Sequence, residues 1–387
     1  MLVLYGILFV ISLYIIFIIC LRVRHPYWSK QPVYHSHKLL YKFYHPGIVK
    51  HFPSDKDRYV DLKDIEFCKI NNNSNYDKIS KFLCENYSKN EYTVFKPSSK
   101  YIKSYYEGSS DKSYVSFMKH NSLKYTTETE VKEEEIIVGL LTTRPLIVKL
   151  DSKYLNIELV DLLCINPLYR KGYRVPKLIQ THKYHMEQKT KKAGIYLFKN
   201  ENHNSFNIIP LCKFECYAFD IFTWRTPIKL GQEEIIESNE YTSELMYETI
   251  MLSKFKNKIY FDLYTMNNLV KSGNIHLYCL KVKSKILGLY FFKNSQTIYN
   301  KELVFECVCS IRLTGIELFL KGFHNAVNLC CKKNKYRYLV IENTSNNNIV
   351  INKILSSKSY INKYYSSYYT YNYITKQLNP NDSMFLI

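Results

Sequence analysis

The sequence predicts an α+β protein, a mixed sheet flanked by helices and built as two units of similar size, behind a separate apolar helix. Three observations carry this. The chain has 387 residues, enough for two domain-sized cores. Helical and strand periodicities follow one another in the order helix, strands, helix, once in each half, without visible repetition of sequence. The stretch from Met1 to Cys20 holds no charged side chain, and Arg22, Arg24 and His25 follow at once.

That first run is long enough to span a bilayer as a helix. It lacks the basic start and small-residue cleavage site of a secretory signal, and it has no polar face that would suit an amphipathic helix. The basic flank on its carboxyl side predicts a transmembrane anchor over 1–21, with membrane contact through 1–20 and the rest of the chain cytoplasmic. N-x-S/T triplets at Asn72, Asn86, Asn343 and Asn381 leave a lumenal topology open.

Composition narrows the function classes. An apolar content of 46% and an aromatic content of 16% exclude general disorder. The net charge of +20 favours acidic partners, whether phosphorylated cofactor, anionic membrane or nucleic acid, although much of the lysine enrichment also fits an AT-rich coding sequence. Eleven cysteines without paired CxxC spacing read as reduced, mostly buried thiols. With no G-x-S-x-G, H-E-x-x-H, phosphate-binding loop or paired carboxylates, hydrolase, zinc-protease and nucleotide triphosphatase readings lack support.

Residues 22–65 read as an extended segment opened by His25 to Val33 (HPYWSKQPV), with Trp28 as its aromatic anchor. His35 and His37 have no carboxylate or cysteine at ligand spacing, so solvated loop histidines and no metal are expected. Phe67 to Ile70 predicts a strand, Tyr76 to Asn86 a helix with Ile79, Phe82 and Leu83 on one face, and Ser99 to Glu107 a second helix. Tyr114 to Lys119 and Glu135 to Leu141 predict a hairpin across the acidic loop Thr126 to Glu134. Gly139 to Pro145 then continues a meander into Leu146 to Leu150.

The chain is organised around Glu158 to Lys177 (ELVDLLCINPLYRKGYRVPK). Leu159 to Ile165 is a continuous apolar run typical of an internal strand, and Asn166-Pro167 ends it. Arg170, Lys171, Gly172, Tyr173, Arg174, Val175 and Pro176 then form a basic loop, with Pro176 at a first helical position. A helix amino terminus flanked by arginines is an anion site suited to a diphosphate, while the bland alternative is a loop that is basic because the chain is. Beyond it, helix Lys177 to Lys191 and strand Gly194 to Phe198 are followed by a linker from Phe219 to Glu237. The second half predicts helices at Ser243 to Lys254, Thr265 to Lys271 and Glu317 to Lys332. Its strands are His276 to Val282, Ile286 to Phe292, Val304 to Ile311 and Tyr336 to Glu342. Tyr364 to Tyr373 reads as an edge strand or an aromatic packing face.

The central stretch resembles the acyl-CoA loop of N-myristoyltransferases, roughly E-I-N-F-L-C-V-H-K-x-L-R-S-K-R-L-A-P-x-L-I. Leu163, Cys164, Arg170, Pro176, Leu178 and Ile179 match it, and Val160, Leu162 and Ile165 are conservative replacements. Asp161 stands for the family's Asn, and Lys171 to Arg174 depart. Tyr27 to Val33 is similar to F-W-x-T-Q-P-V, Leu83 to Tyr87 to L-N-E-N-Y, the end of the strand Tyr336 to Glu342 with Asn343-Thr344-Ser345 to D-V-F-N-A-L, Asn343 falling on its Asn, and Tyr368 to Tyr373 to Y-Y-L-Y-N-W. In Y-T-A-G only Tyr196 is kept, with Leu197 for the Thr. The glycine-rich K-F-G-x-G-D-G is lost, with Lys358 kept and Tyr360, Asn362, Lys363 and Tyr364 at its glycine and aspartate positions.

The resemblance implies two GNAT-type folds in tandem, an acyl-CoA-binding unit over 66–220 and a peptide-binding unit over 221–387. It implies transfer of a long acyl chain, myristoyl by the family's habit, from CoA to the N-terminal glycine of a protein. By the same resemblance Tyr27, Trp28, Cys164, Ile165 and the loop from Arg170 to Pro176 surround the CoA. The amides of Leu162 and Leu163 stabilise the oxyanion, and the carboxylate of Ile387 is the base. Tyr196, Leu197, Asn343, Tyr368 and Asn372 line the peptide side. Myristoyl-CoA is then a co-substrate, with no resident cofactor, no nucleic acid and a monomer expected. An acyltransferase with another acceptor and a catalytically silent homologue are the alternatives.

Overall fold

The structure, a computed structural model, describes residues 1–38, 46–87, 92–125, 131–201, 208–224, 226–239 and 242–387. Of the expected Thr126 to Glu134 loop, residues 126–130 lie outside the described residues, and Val131 to Glu134 are strand, paired with Ser122 to Tyr125. Helix α1 (Leu2–Arg24) stands ahead of the body with most of its side chains exposed, and it is long and apolar enough to cross a membrane. Tyr14 Oη donates to the His37 carbonyl at 2.9 Å, so the carboxyl half of the helix lies along the segment that follows.

The first half runs β1 (Gly47–Ile48), β2 (Ile65–Lys69), α2 (Asn73–Asn86), β3 (Thr93–Phe95), α3 (Ser99–Tyr106), β4 (Tyr114–Tyr125), β5 (Val131–Leu150), β6 (Lys153–Ile165), α4 (Arg174–Thr190), β7 (Tyr196–Glu201) and β8 (Cys212–Asp220). The second runs β9 (Glu234–Glu237), α5 (Ser243–Leu252), β10 (Asn257–Tyr260), α6 (Leu263–Ser272), β11 (Ile275–Val282), β12 (Lys285–Tyr299), β13 (Glu302–Arg312), α7 (Ile316–Asn334), β14 (Tyr336–Glu342), α8 (Asn347–Leu355), β15 (Asn362–Tyr371), β16 (Tyr373–Ile374) and β17 (Ser383–Phe385). Side-chain caps fix several helix starts: Asn72, Ser98 and Asp262 accept from the amides of Asn75, Tyr101 and Thr265. Gly273, at φ 77°, closes α6.

Each half contains the same unit. Antiparallel β4, β5 and β6 are followed by α4 and by β7, which pairs parallel to β6. Antiparallel β11, β12 and β13 are followed by α7 and by β14, parallel to β13. Two three-strand meanders, each closed by a crossover helix and a parallel strand, make the tandem architecture an observed property. The halves share one sheet in the order β17, β10, β5, β6, β7, β15, β8, β14, β13, β12, β11, β9.

Several expectations are corrected. The hairpin and meander from Glu135 to Leu150 are one strand, β5, because its neighbour changes midway: β4 pairs as far as Thr143 and β10 begins at Ile147. Pro145 sits in that gap, where its missing N–H deprives no ladder. The linker contains β9, paired with β11. The tyrosine-dense tail is no edge strand, since β15 lies between β7 and β8, and Tyr368, Tyr369 and Tyr371 are buried there. Helix α8 was not predicted. Helix α4 starts at Arg174, which puts Pro176 third rather than first. His35 is buried rather than solvated: its Nε2 bonds the Gln31 carbonyl at 3.1 Å, and burial lowers its pKa to about 4.

Candidate active site

The site is built where two parallel strands part. Pairing between β6 and β7 covers only Glu158 to Val160, after which β6 continues alone on that side to Ile165. Its other neighbour loses register at the same place: Leu140 faces Cys164 but Thr142 faces Asp161, so Leu162 and Leu163 together oppose Leu141. This is a β-bulge, and Leu162 takes φ 51°, a conformation leucine rarely adopts. The consequence is a break in the ladder at the mouth of the opening, where the Leu162 amide turns to a side chain rather than to β5.

Asp161 Oδ1 accepts from the Leu162 amide at 2.9 Å. The Asp161 carbonyl is held by Thr142 Oγ1 at 3.0 Å, and Thr142 by Tyr106 Oη at 2.8 Å. Beneath lies Arg144, 2% exposed, its guanidinium between the rings of Tyr105 at 4.9 Å and Phe261 at 4.7 Å. Its Nη2 is 3.6 Å from Asp161 Oδ2, and its Nε and Nη1 have no hydrogen-bond partner.

After β6 the chain makes one 3₁₀ turn (Pro167–Tyr169), with Asn166 Oδ1 capping the Leu168 amide at 2.9 Å. Arg170 Nε donates back to the Ile165 carbonyl at 3.1 Å and Arg174 Nη1 to that of Tyr169 at 3.1 Å, so both guanidiniums are tied to the loop they flank. Gly172 supplies the turn at φ 78°. Lys171, Gly172 and Tyr173 are exposed, and no side chain caps α4. The uncapped first turn of α4 lies beside Arg170, Lys171 and Arg174, so unpaired helix-start amides and three cations are gathered at one place. Val175 is half-buried against Leu178, Cys164 and Ile165 are buried, and burial pushes the Cys164 thiol up to about 11, so it is no nucleophile. Tyr27 is buried against Tyr59, which reaches Tyr173, and Trp28 packs on Phe198; the amino-terminal segment thereby touches the loop.

The other wall comes from the strands beyond the opening. Leu159, Leu197, Thr370 and, two residues on, Asp161, Lys199 and Tyr368 share one face of the sheet by register. Leu197 is fully buried in the core; Lys199 is open to solvent and donates to Glu342 at 2.6 Å, whose second oxygen Oε2 has no partner. Tyr368 packs on Phe214 and Phe385. The chain terminus follows Phe385 into this core: Ile387 is 9% exposed, and its carbonyl oxygen accepts from Lys293 Nζ at 3.4 Å. Asn343 lies at the end of β14 with Oδ1 unpartnered.

Two expected acceptor-side residues sit elsewhere. Tyr196 is buried on the opposite face, against Tyr371. Asn372, at φ 63°, commits its whole amide to backbone: Nδ2 donates to the carbonyls of Lys50 and Gly194, and Oδ1 accepts from the Lys50 amide. Conversely, Arg144, Lys199, Lys293 and Glu342 were missed. Their signal was a single charge interrupting or closing an apolar strand, and which of these face one another depends on strand order. Among the described residues no group of side chains could hold a metal.

Strands that part after a bulge, with a basic loop and an uncapped helix start at the mouth, are what the chain brings together here. No family model and no curated protein sequence matches the chain. Solved structures do. Saccharomyces cerevisiae N-myristoyltransferase with bound myristoyl-CoA superimposes with a TM-score of 0.67 at 12% identity, over 92% of this chain and 95% of that one. A second structure of that enzyme with myristoyl-CoA gives 0.69 at 13% over 93% and 91%, and one with myristoyl-CoA and inhibitors 0.68 at 13% over 93% of both. The chain therefore has the N-myristoyltransferase fold over nearly its whole length, at a divergence that leaves little of the sequence in common.

Proposed function

We propose that the protein is an N-myristoyltransferase-like acyltransferase, moving a long acyl chain, myristoyl in the first instance, from CoA to the N-terminal glycine of proteins. What supports this reading is the likeness in fold over nearly the whole chain, together with Ile387, which is buried in the same core against which Leu162 packs. In the proposed reaction the acceptor amine attacks the thioester carbonyl and a C–N bond forms. The oxyanion is stabilised by the amides of Leu162 and Leu163. The Ile387 carboxylate takes the amine proton, the C–S bond breaks, and the proton passes to the departing CoA thiolate. Arg170, Lys171, Arg174 and the first amides of α4 hold the diphosphate, and Tyr27, Trp28, Cys164 and Ile165 wall the donor. Asn343 and Tyr368 line the acceptor side. Helix α1 anchors the protein, a monomer, with the remainder cytoplasmic.

A changed acceptor is the second reading. Leu197 in place of the family's threonine and Lys293 at the terminal carboxylate both favour it. The test is incubation of the full chain, in lipid nanodiscs, with myristoyl-CoA and glycine-initiated peptides, following peptide mass. A gain of one myristoyl group, absent when the glycine amine is acetylated, is expected. Consumption of myristoyl-CoA with acylation of other amines only would favour the second reading, and acyl-CoA binding without any product would leave a silent homologue.

A further inference from the structure

We propose that Asp161 is a positioning residue that alternates between two stations, the Leu162 amide and the Arg144 guanidinium, so that the oxyanion site is closed until an acyl donor enters. This rests on the acyl-transfer reading above. The Leu162 N–H that an oxyanion would use is already taken by Asp161 Oδ1 at 2.9 Å. A carboxylate and an oxyanion cannot share one donor, because two negative oxygens would meet within hydrogen-bond distance. For the amide to serve the reaction, Asp161 has to leave it.

Arg144 is where it goes. A buried guanidinium normally has its nitrogens paired, since each unpaired one forfeits its hydration. Here Nε and Nη1 have no partner, and the nearest carboxylate oxygen, Asp161 Oδ2, stands at 3.6 Å from Nη2, just beyond hydrogen-bond length. Arg144 is clamped between Tyr105 and Phe261 and is the fixed station. The Asp161 side chain is 41% exposed and is the part with room to rotate. Rotation towards Arg144 would replace one loose ion contact with a charge-assisted pair and release the amide in the same movement. The backbone is held for it: Thr142 Oγ1 grips the Asp161 carbonyl, so the bulge persists when the side chain turns away. An asparagine at this position, as in the N-myristoyltransferase motif, carries no charge to send to Arg144.

The test uses the full chain in nanodiscs and myristoyl-CoA with an isotope-labelled thioester carbonyl, read by difference infrared spectroscopy, together with calorimetric affinity. Asp161→Ala vacates the amide and is expected to tighten donor binding about tenfold, the value of one freed hydrogen bond. Arg144→Met removes the second station: the carbonyl band moves to higher frequency and binding weakens about tenfold. In the double variant both return to the Asp161→Ala values, which a loss of packing at Arg144 would not allow. The proposal is overturned if Arg144→Met leaves the band unmoved, if its loss persists in the double variant, or if Asp161→Ala leaves affinity unchanged while abolishing transfer, as a catalytic base would. A chain that melts cooperatively yet binds no myristoyl-CoA would overturn the acyl-transfer reading itself.

Discussion

Replacing the carboxylate of Ile387 by a carboxamide, through semisynthesis of the last residues, isolates the role given to the chain terminus. The side chain stays in the core and only the charge goes. On the stability side, Lys293 loses an ionised acceptor at 3.4 Å. A hydrogen bond to a charged group contributes about 1.5–3 kcal/mol, so thermal unfolding should show a loss in or below that range. On the catalytic side, general-base assistance contributes about 10²–10⁴ in rate, so turnover on glycine peptides should fall by that factor with donor affinity unchanged. Deletion of Ile387 is the blunter comparison. It withdraws the carboxylate by one residue, about 3.5 Å of extended chain, and ends the chain at Leu386, whose side chain belongs to a different core cluster. Amidated protein turning over within about twofold of the acid form, well inside the span given to a general base, would refute the terminal base and leave Ile387 a packing residue.

Other consequences are testable by pH-dependent unfolding. Burial pushes the Glu158 carboxyl up to about 7, with Oε2 unpartnered. Its folded value lies above its unfolded one, so stability is intact below the unfolded value and is lost as pH rises through the folded one. Glu158→Gln should therefore stabilise by up to about 3 kcal/mol above neutrality and not at acid pH. His182, held by Ser116 Oγ at 2.8 Å and Thr143 Oγ1 at 2.9 Å, is lowered by burial to about 3, and His35 to about 4. Their folded values lie below the ordinary one, so this stability is present above about pH 6.5 and drains as pH falls, and His182→Asn should flatten the acid limb of a stability curve. Asn372→Ala removes three backbone contacts at a left-handed residue and should cost about 2–4 kcal/mol in chemical denaturation, with Asn372→Gly recovering the conformational part.

The sequence signals were strongest where chemistry and periodicity coincide. The apolar run Leu159 to Ile165 and the basic loop after it announced an internal strand feeding a helix, and the structure has both. Gly139 to Pro145 and Leu146 to Leu150 read as successive parts of a meander; the exchange of β4 for β10 as neighbour is what lets one strand run on past Pro145. The central position of β15 could not be read from Tyr364 to Tyr373, since an aromatic strand suits an edge or a centre and strand order is a long-range property. For the same reason Lys199 and Glu342, far apart in sequence, gave no hint that they meet at 2.6 Å. Asp161 was visible as a departure from the resembled motif, but its bond to the Leu162 amide belongs to the bulge, which needs the register against β5.

The most direct test of the central claim is calorimetric titration of the full chain in nanodiscs with a non-hydrolysable thioether analogue of myristoyl-CoA. The predicted result is saturable binding at one site per chain, weakened when Arg170 and Lys171 are replaced by alanine and weakened further as the acyl chain is shortened. A properly folded chain that takes up no heat, or that binds CoA and its myristoyl analogue equally, would contradict the claim.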